Sequence, residues 1–401
     1  MSPSGRRPRG QGVGRGRWER PAPARHRRVV RARRGAGVSV CRRVPGRGPC
    51  PRRTRRTRRT RRTRRTRRTR RTRGPVGRAG PEHDGGRRAC SAPTTGTTGA
   101  VPAPEGDGKG TAMAVDWRDY DRDELARQYS PSSRVDDIGP YLADYARRSD
   151  EARRDLVVHR DLSYGTDHEQ AFDYFPASRA GAPLHVFVHG GYWQELSRHD
   201  SAFPALDLVP AGAAFVALGY GLAPAHDLAE IVASVSLGIR RLCQHRSELP
   251  GTPSEVHLSG TSAGAHLVAS ALLDVEGWRR DGLDPSRDVA SATLLSGVYE
   301  LEPLRHTYVN DALGLDAAAA AAHSPLLALR SPLPPLLVAL GRNETEEFGR
   351  QHREFVDRAR AVGTEVTDVV VPGRDHFDLP LDLGRRGTVV GDAVRRRMRL
   401  G

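Results

Sequence analysis

Gly260-Thr-Ser-Ala-Gly264 sets one serine between two glycines, after the apolar run Val256-His-Leu258 and before a helix-patterned Ala265-His-Leu-Val-Ala-Ser-Ala-Leu-Leu. A G-x-S-x-G segment between a strand and a helix is a nucleophile elbow, a turn so tight that a side chain at either glycine would strike backbone. It presents Ser262 at the edge of a sheet and at a helix N-terminus, and makes it the candidate nucleophile. The competing reading is a Gly/Ser-rich turn without chemistry.

A second segment, His189-Gly-Gly-Tyr-Trp193, directly follows the apolar run Leu184–Val188. Adjacent glycines after a strand leave backbone N–H groups free to meet a developing oxyanion. Gly190 or Gly191, together with Ala263 from the elbow, are the expected donors. Tyr192 and Trp193 are expected to line the pocket for an aromatic substrate, or else to pack the loop. His189 reads as a residue that holds the loop rather than as a base. His185 shares its strand face, but no third metal ligand accompanies the two.

A serine nucleophile requires a base, and the base an orienting acid. In sheets with such an elbow the order along the chain is serine, acid, histidine. His376, in the loop after an apolar run ending at Val371, is the candidate base, since ligands meet such sheets at the carboxyl ends of strands. His266 reads as packed on the elbow helix, His352 as a polar helix position, and His306 and His323 as cap residues. Glu344, the first carboxylate after the run 335–340, is the candidate acid. Ordinary helix-start chemistry competes for it, with Asn343 as N-cap and Glu346 as its capping partner. Asp375 and Asp378 are rivals.

These positions need a scaffold. Helical spacing is expected over 116–128 and 138–156, then strands at 157–164, 170–174, 184–188, 214–218, 255–258, 292–295, 335–340 and 365–371. Helices are expected near 199–209, 227–247, 263–274, 346–362 and 387–398. Two opening strands followed by strand–helix alternation predict an α/β fold, with a mostly parallel sheet between two helical layers. Residues 303–330, with the alanine run 317–322, fit no strand–helix unit and are expected to form a small cap.

The scaffold occupies only part of the 401 residues. The formal charge of +18 divides into +29 over 1–112 and −11 over 113–401, and the only lysine is Lys109. The first segment lacks Leu, Ile, Phe and Tyr, and holds seven consecutive Arg-Arg-Thr units at 52–72. Too little apolar surface is present to offset chain entropy, so 1–112 is expected to be a disordered extension beside one domain at 113–401. Clustered arginines suggest a nucleic-acid arm, although Trp18 is the sole aromatic available for stacking. The alternative is an upstream in-frame start, with Met113 the true first residue. Cys243 is the one cysteine outside the extension, which excludes a disulfide scaffold and a CxxC metal site there. Neither a secretory leader nor a spanning apolar run is legible, so a cytoplasmic protein without membrane contact is expected.

Together the motifs give the chain a specific resemblance. Gln128-Tyr-Ser-Pro-Ser132, His189-Gly-Gly-Tyr-Trp-Gln194, Ser201-Ala-Phe203, Gly260-Thr-Ser-Ala-Gly-Ala-His-Leu267, Glu344-Thr-Glu-Glu-Phe348 with Gln351, and His376-Phe-Asp378 occur in this order across 113–401. The body resembles the arylformamidase (kynurenine formamidase) branch of the α/β-hydrolases. That resemblance implies cofactor-free hydrolysis of N-formyl-L-kynurenine to L-kynurenine and formate, with Ser262 as nucleophile, His376 as base and Glu344 as acid. The acid is commonly aspartate in eukaryotic members, so glutamate is a departure, and the extension has no counterpart in the family. General carboxylesterase action on small acyl or aryl esters is the alternative, and nucleic-acid binding through the arm is a third reading.

Overall fold

Five consecutive runs of apolar residues too short for helices dictate a sheet buried on both faces. The computed structural model describes residues 116–401; the expectations for 1–112 lie outside the described residues. Eight strands form one sheet: β1 His159–Ser163, β2 Ala171–Phe175, β3 Leu184–Val188, β4 Ala214–Leu218, β5 Val256–Thr261, β6 Ser291–Leu295, β7 Leu336–Gly341 and β8 Val366–Val371. Their order is β1-β2-β4-β3-β5-β6-β7-β8. β2 runs antiparallel to both β1 and β4, and every other pairing is parallel.

Alternate residues of these strands enter two apolar cores. Val186, Val216, Leu258, Leu294 and Val338 face one side, while Phe187, Phe215, Leu295, Leu337 and Ala339 face the other. Helices cover both faces: α1 Arg122–Gln128, α2 Gly139–Asp155, α3 Leu228–His245, α4 Ala263–Leu273, α5 Glu346–Ala361 and α6 Val389–Arg397. α3 starts with a reciprocal cap between Asp227 and Glu230, which satisfies two otherwise orphaned N–H groups.

Three elements differ from their sequence reading. The helix expected near 199–209 is a 3-10 turn at Arg198–Asp200 and a short helix at Ala205–Leu208, because Pro204 disfavours helical backbone at the residue before it. The helix expected over 116–128 is divided, with Asp121 capping α1 by accepting from the Glu124 N–H. β1 is shorter than expected and irregular, with Asp161 at φ +56° and a register shift between His159 and Leu162. The stretch expected as a cap is four short helical segments, and Asp316 caps the alanine run.

The parallel register aligns the carboxyl ends of five strands. Val188 lies opposite Gly260, Thr261 opposite Leu295, Leu295 opposite Ala339, and Gly341 opposite Val371. β4 lies on one side of β3 and β5 on the other, so the chain changes direction across the sheet between β3 and β5. Such a switch point opens a crevice at the strand ends.

Candidate active site

The elbow after β5 is built from steric necessity. Ser262 adopts φ +55°, ψ −121°, a strained region for a non-glycine residue, and its N–H donates to Leu295 O at 2.8 Å. A Cβ on Gly260 would stand 2.2 Å from Gly264 O, and one on Gly264 only 2.1 Å from Val188 O. α4 therefore starts pressed against the end of β3, with Ala263 as its first residue. The N–H groups of a helix's first turn have no partner within the helix.

The loop after β3 lies against this turn. A Cβ on Gly190 would meet Thr261 O at 2.9 Å and Ser262 Cβ at 3.2 Å. Gly191, at φ +94°, accepts at its carbonyl from the Gln194 and Glu195 N–H groups, each at 2.9 Å. His189 stacks on Tyr220 at 4.2 Å, and its Nδ1–H donates to Gly190 O at 2.9 Å. Burial lowers its pKa to about 4, so the ring is neutral and braces the loop. His185 is turned away, with Nε2 2.6 Å from Ser259 Oγ and Nδ1 3.3 Å from Met398 Sδ.

Glu344 and His376 meet after β7 and β8. His376 Nδ1 donates to Glu344 Oε2 at 2.7 Å, and both side chains are buried. Glu344 Oε1 accepts from the Gly341 N–H at 2.8 Å and from Ser296 Oγ at 2.5 Å. The helix-start alternative for this segment is not what forms: Thr345 occupies the cap of α5, and the Asn343 N–H donates to Arg374 O. Asp375 and Asp378 are not on the imidazole either. The Asp375 carboxylate accepts from the Phe377 and Asp378 N–H groups, and that of Asp378 from the Asp375 N–H, so both fix the loop.

Side chains to which the sequence assigned no role complete this wall. Ser296, at φ +49° after β6, is one. Tyr129 is another: its hydroxyl donates to Glu347 Oε2 at 2.8 Å and accepts from Gln351 Nε2 at 2.8 Å. Gln351 also accepts from the Tyr299 and Glu300 N–H groups. From α2, Tyr141 donates to Asp375 Oδ2 at 2.9 Å and Tyr145 donates to Phe377 O. For Tyr129 and Gln351 the only sequence signal was their place in the segments that carry the family resemblance; Ser296, Tyr141 and Tyr145 had none.

Ser262 and His376 line one cavity of about 240 Å³, walled by Tyr145, Tyr192, Tyr308 and Phe377 among others. Gly190 and Gly191 reach the same cavity. Ser262 and His376 are not joined by a hydrogen bond in this structure; catalytic contacts commonly tighten only with substrate in place. Tyr192 lines the cavity and donates from its hydroxyl to Tyr129 O at 2.6 Å. Trp193 corrects the pocket-lining expectation in favour of its packing alternative: it is fully buried and edge-on to His266 at 5.0 Å. His266 donates to His323 O, His352 pairs with Asp368, and His306 stacks on Trp117. From the cap stretch, Tyr308 and Val309 line the cavity.

A family model for the alpha/beta hydrolase fold matches residues 185–378. The kynurenine formamidase of Danio rerio is 34% identical over 277 residues, covering 66% of this chain and 92% of that protein. The chain belongs to the kynurenine formamidase branch of the α/β-hydrolases. It is a hydrolase. An isoprenylcysteine alpha-carbonyl methylesterase of Arabidopsis thaliana is 28% identical, covering 57% of this chain and 59% of that protein. Esterase B from Lactobacillus rhamnosis shares the fold with a TM-score of 0.53 at 19% identity, over 65% of this chain and 94% of that one. Among the described residues, no helix of this branch member is long and apolar enough to cross a membrane.

Proposed function

We propose that this chain cleaves aryl formamides, with N-formyl-L-kynurenine hydrolysed to L-kynurenine and formate. The observation that carries the reading is the His376–Glu344 contact of 2.7 Å on the cavity that Ser262 enters from its elbow. Ser262 Oγ attacks the formyl carbon while His376 Nε2 takes its proton, and Glu344 holds Nδ1–H and stabilises the imidazolium. The amides of Gly190 or Gly191 and of Ala263 receive the oxyanion, each donor contributing roughly 3–4 kcal/mol in the transition state. His376 then protonates the departing aryl amine. Water, deprotonated by His376, attacks the formyl ester and releases formate and free Ser262. The mechanism uses only side chains, backbone amides and water. Tyr145, Tyr192, Tyr308 and Phe377 give an aromatic leaving group apolar walls.

The esterase relative favours a second reading, hydrolysis of small acyl or aryl esters. Turnover of N-formyl-L-kynurenine against p-nitrophenyl acetate and butyrate separates the two: ester turnover without formamide turnover selects the second. Ser262→Ala is expected to lower kcat by about 10⁴-fold or more on either substrate. Full activity in that variant refutes the nucleophile.

A further inference from the structure

The cavity at Ser262 is one-sided in charge. Glu195 is the sole carboxylate among the residues that line it, and neither Lys nor Arg reaches it. Glu195 is exposed and has no ion-pair partner among the described residues. Of the guanidinium groups on neighbouring segments, Arg198 pairs with Asp161 and Arg305 with Glu302, while Arg134 makes a single contact, to the Asn343 carbonyl. A second carboxylate, Glu344, is buried behind His376. No Lys or Arg side chain lines the cavity to receive an anionic substituent, and one carboxylate residue stands among its lining to meet a cationic one.

The backbone of Glu195 is tied to the loop that faces the chemistry. Its N–H donates to Gly191 O at 2.9 Å, and its own carbonyl lies 2.3 Å from where a Gly191 Cβ would be. The loop that faces Ser262 thus sets where the Glu195 side chain leaves the backbone, at the rim of the cavity it lines. A cleft lined by one sign of charge concentrates ligands of the other. The geometry points to a cation subsite at Glu195, which selects acyl substrates bearing an ammonium group and disfavours those bearing only an anion. The inference rests on the hydrolytic reading of Ser262 but not on the choice of formamide over ester. It deepens that choice, because N-formyl-L-kynurenine carries an ammonium and a carboxylate on one carbon. The ammonium is then the recognised group, and the carboxylate is left to solvent.

The test uses the full chain and three acetate esters of one phenol, differing in a single arm: trimethylammonioethyl, its neutral 3,3-dimethylbutyl isostere, and carboxyethyl. At low salt kcat/KM is expected to favour the cationic over the neutral ester by roughly two- to fivefold, the range of an exposed charge pair. The anionic ester falls below the neutral one. Raising salt to about 0.5 M shrinks both differences, because exposed charges are screened. Glu195→Gln brings the cationic-to-neutral ratio close to one, and Glu195→Lys inverts it. A native ratio at or below one, or a ratio unmoved by Glu195→Gln, overturns the subsite. Should the variants fail to fold, the salt series on the native chain decides, and a ratio indifferent to salt overturns it. Absence of formamide turnover leaves these ratios readable, so the two readings fail separately.

Discussion

The two walls of the cavity are held together by different physics. On the Ser262 side, backbone meets backbone: Gly190, Gly260 and Gly264 are required because any Cβ would collide with a carbonyl or a main-chain neighbour. On the His376 side, side chains converge from β6, α1, α2 and α5 through hydrogen bonds, with Ser296, Tyr129, Tyr141 and Gln351 as the donors. The first wall has no slack, since a steric clash of an ångström cannot be shared among neighbours in a close-packed interior. The second is graded, since each hydrogen bond contributes separately and can be lost singly.

Gly264→Ala strikes the first wall hardest. It is expected to cost about 3 kcal/mol or more in stability and to remove activity in the same step, as read by denaturant unfolding and turnover together. A variant that stays stable and active would show that the elbow can yield after all. Mild acid acts by another route, on the buried histidines of β3, the loop after it and α4. Burial lowers the pKa of His185 to about 3 and of His189 and His266 to about 4, against an ordinary value near 6.5. Above pH 6.5 these rings are neutral in both states. As pH falls toward 4 the unfolded chain takes up protons that the fold refuses, so stability falls by about 1.4 kcal/mol per pH unit for each ring. Unfolding midpoints between pH 7 and pH 4.5 measure this, and a flat profile contradicts it. Gln351→Ala tests the second wall. Leaving the buried Tyr299 amide and the part-buried Glu300 amide unpaired is expected to cost about 2 kcal/mol, with kcat reduced but measurable. Complete loss of activity there would make the two walls alike.

The same contrast explains what could be read from sequence. The elbow, the glycine pair after β3 and the strand runs are local patterns, so Ser262, Gly190 and Gly191 could be named, and β3 and β4 were placed to the residue. Glu344 and His376 followed from their positions after apolar runs, although nothing local separated Glu344 from a helix start or His376's partner from Asp375 and Asp378. Ser296 was invisible, since a serine after a strand is common and its partner Glu344 lies 48 residues on. For Trp193, residue type could not separate lining the pocket from packing the loop, and Tyr192 beside it, also at positive φ, does line the cavity. The helix expected near 199–209 was overextended because Pro204, which disfavours helical backbone before it, was given less weight than the spacing around it.

The tyrosine clasp has a consequence in time. Tyr129 reaches Glu347 across 218 residues and Tyr141 reaches Asp375 across 234. Loops of that length close late, because their entropy must be spent before the contact returns anything. A chain leaving the ribosome exposes both tyrosines long before the segments they hold exist. The sheet can be paired from β1 to β6 while the histidine wall is still unmade. Catalytic competence is then expected late in folding, and refolding in which activity returns no later than secondary structure contradicts it.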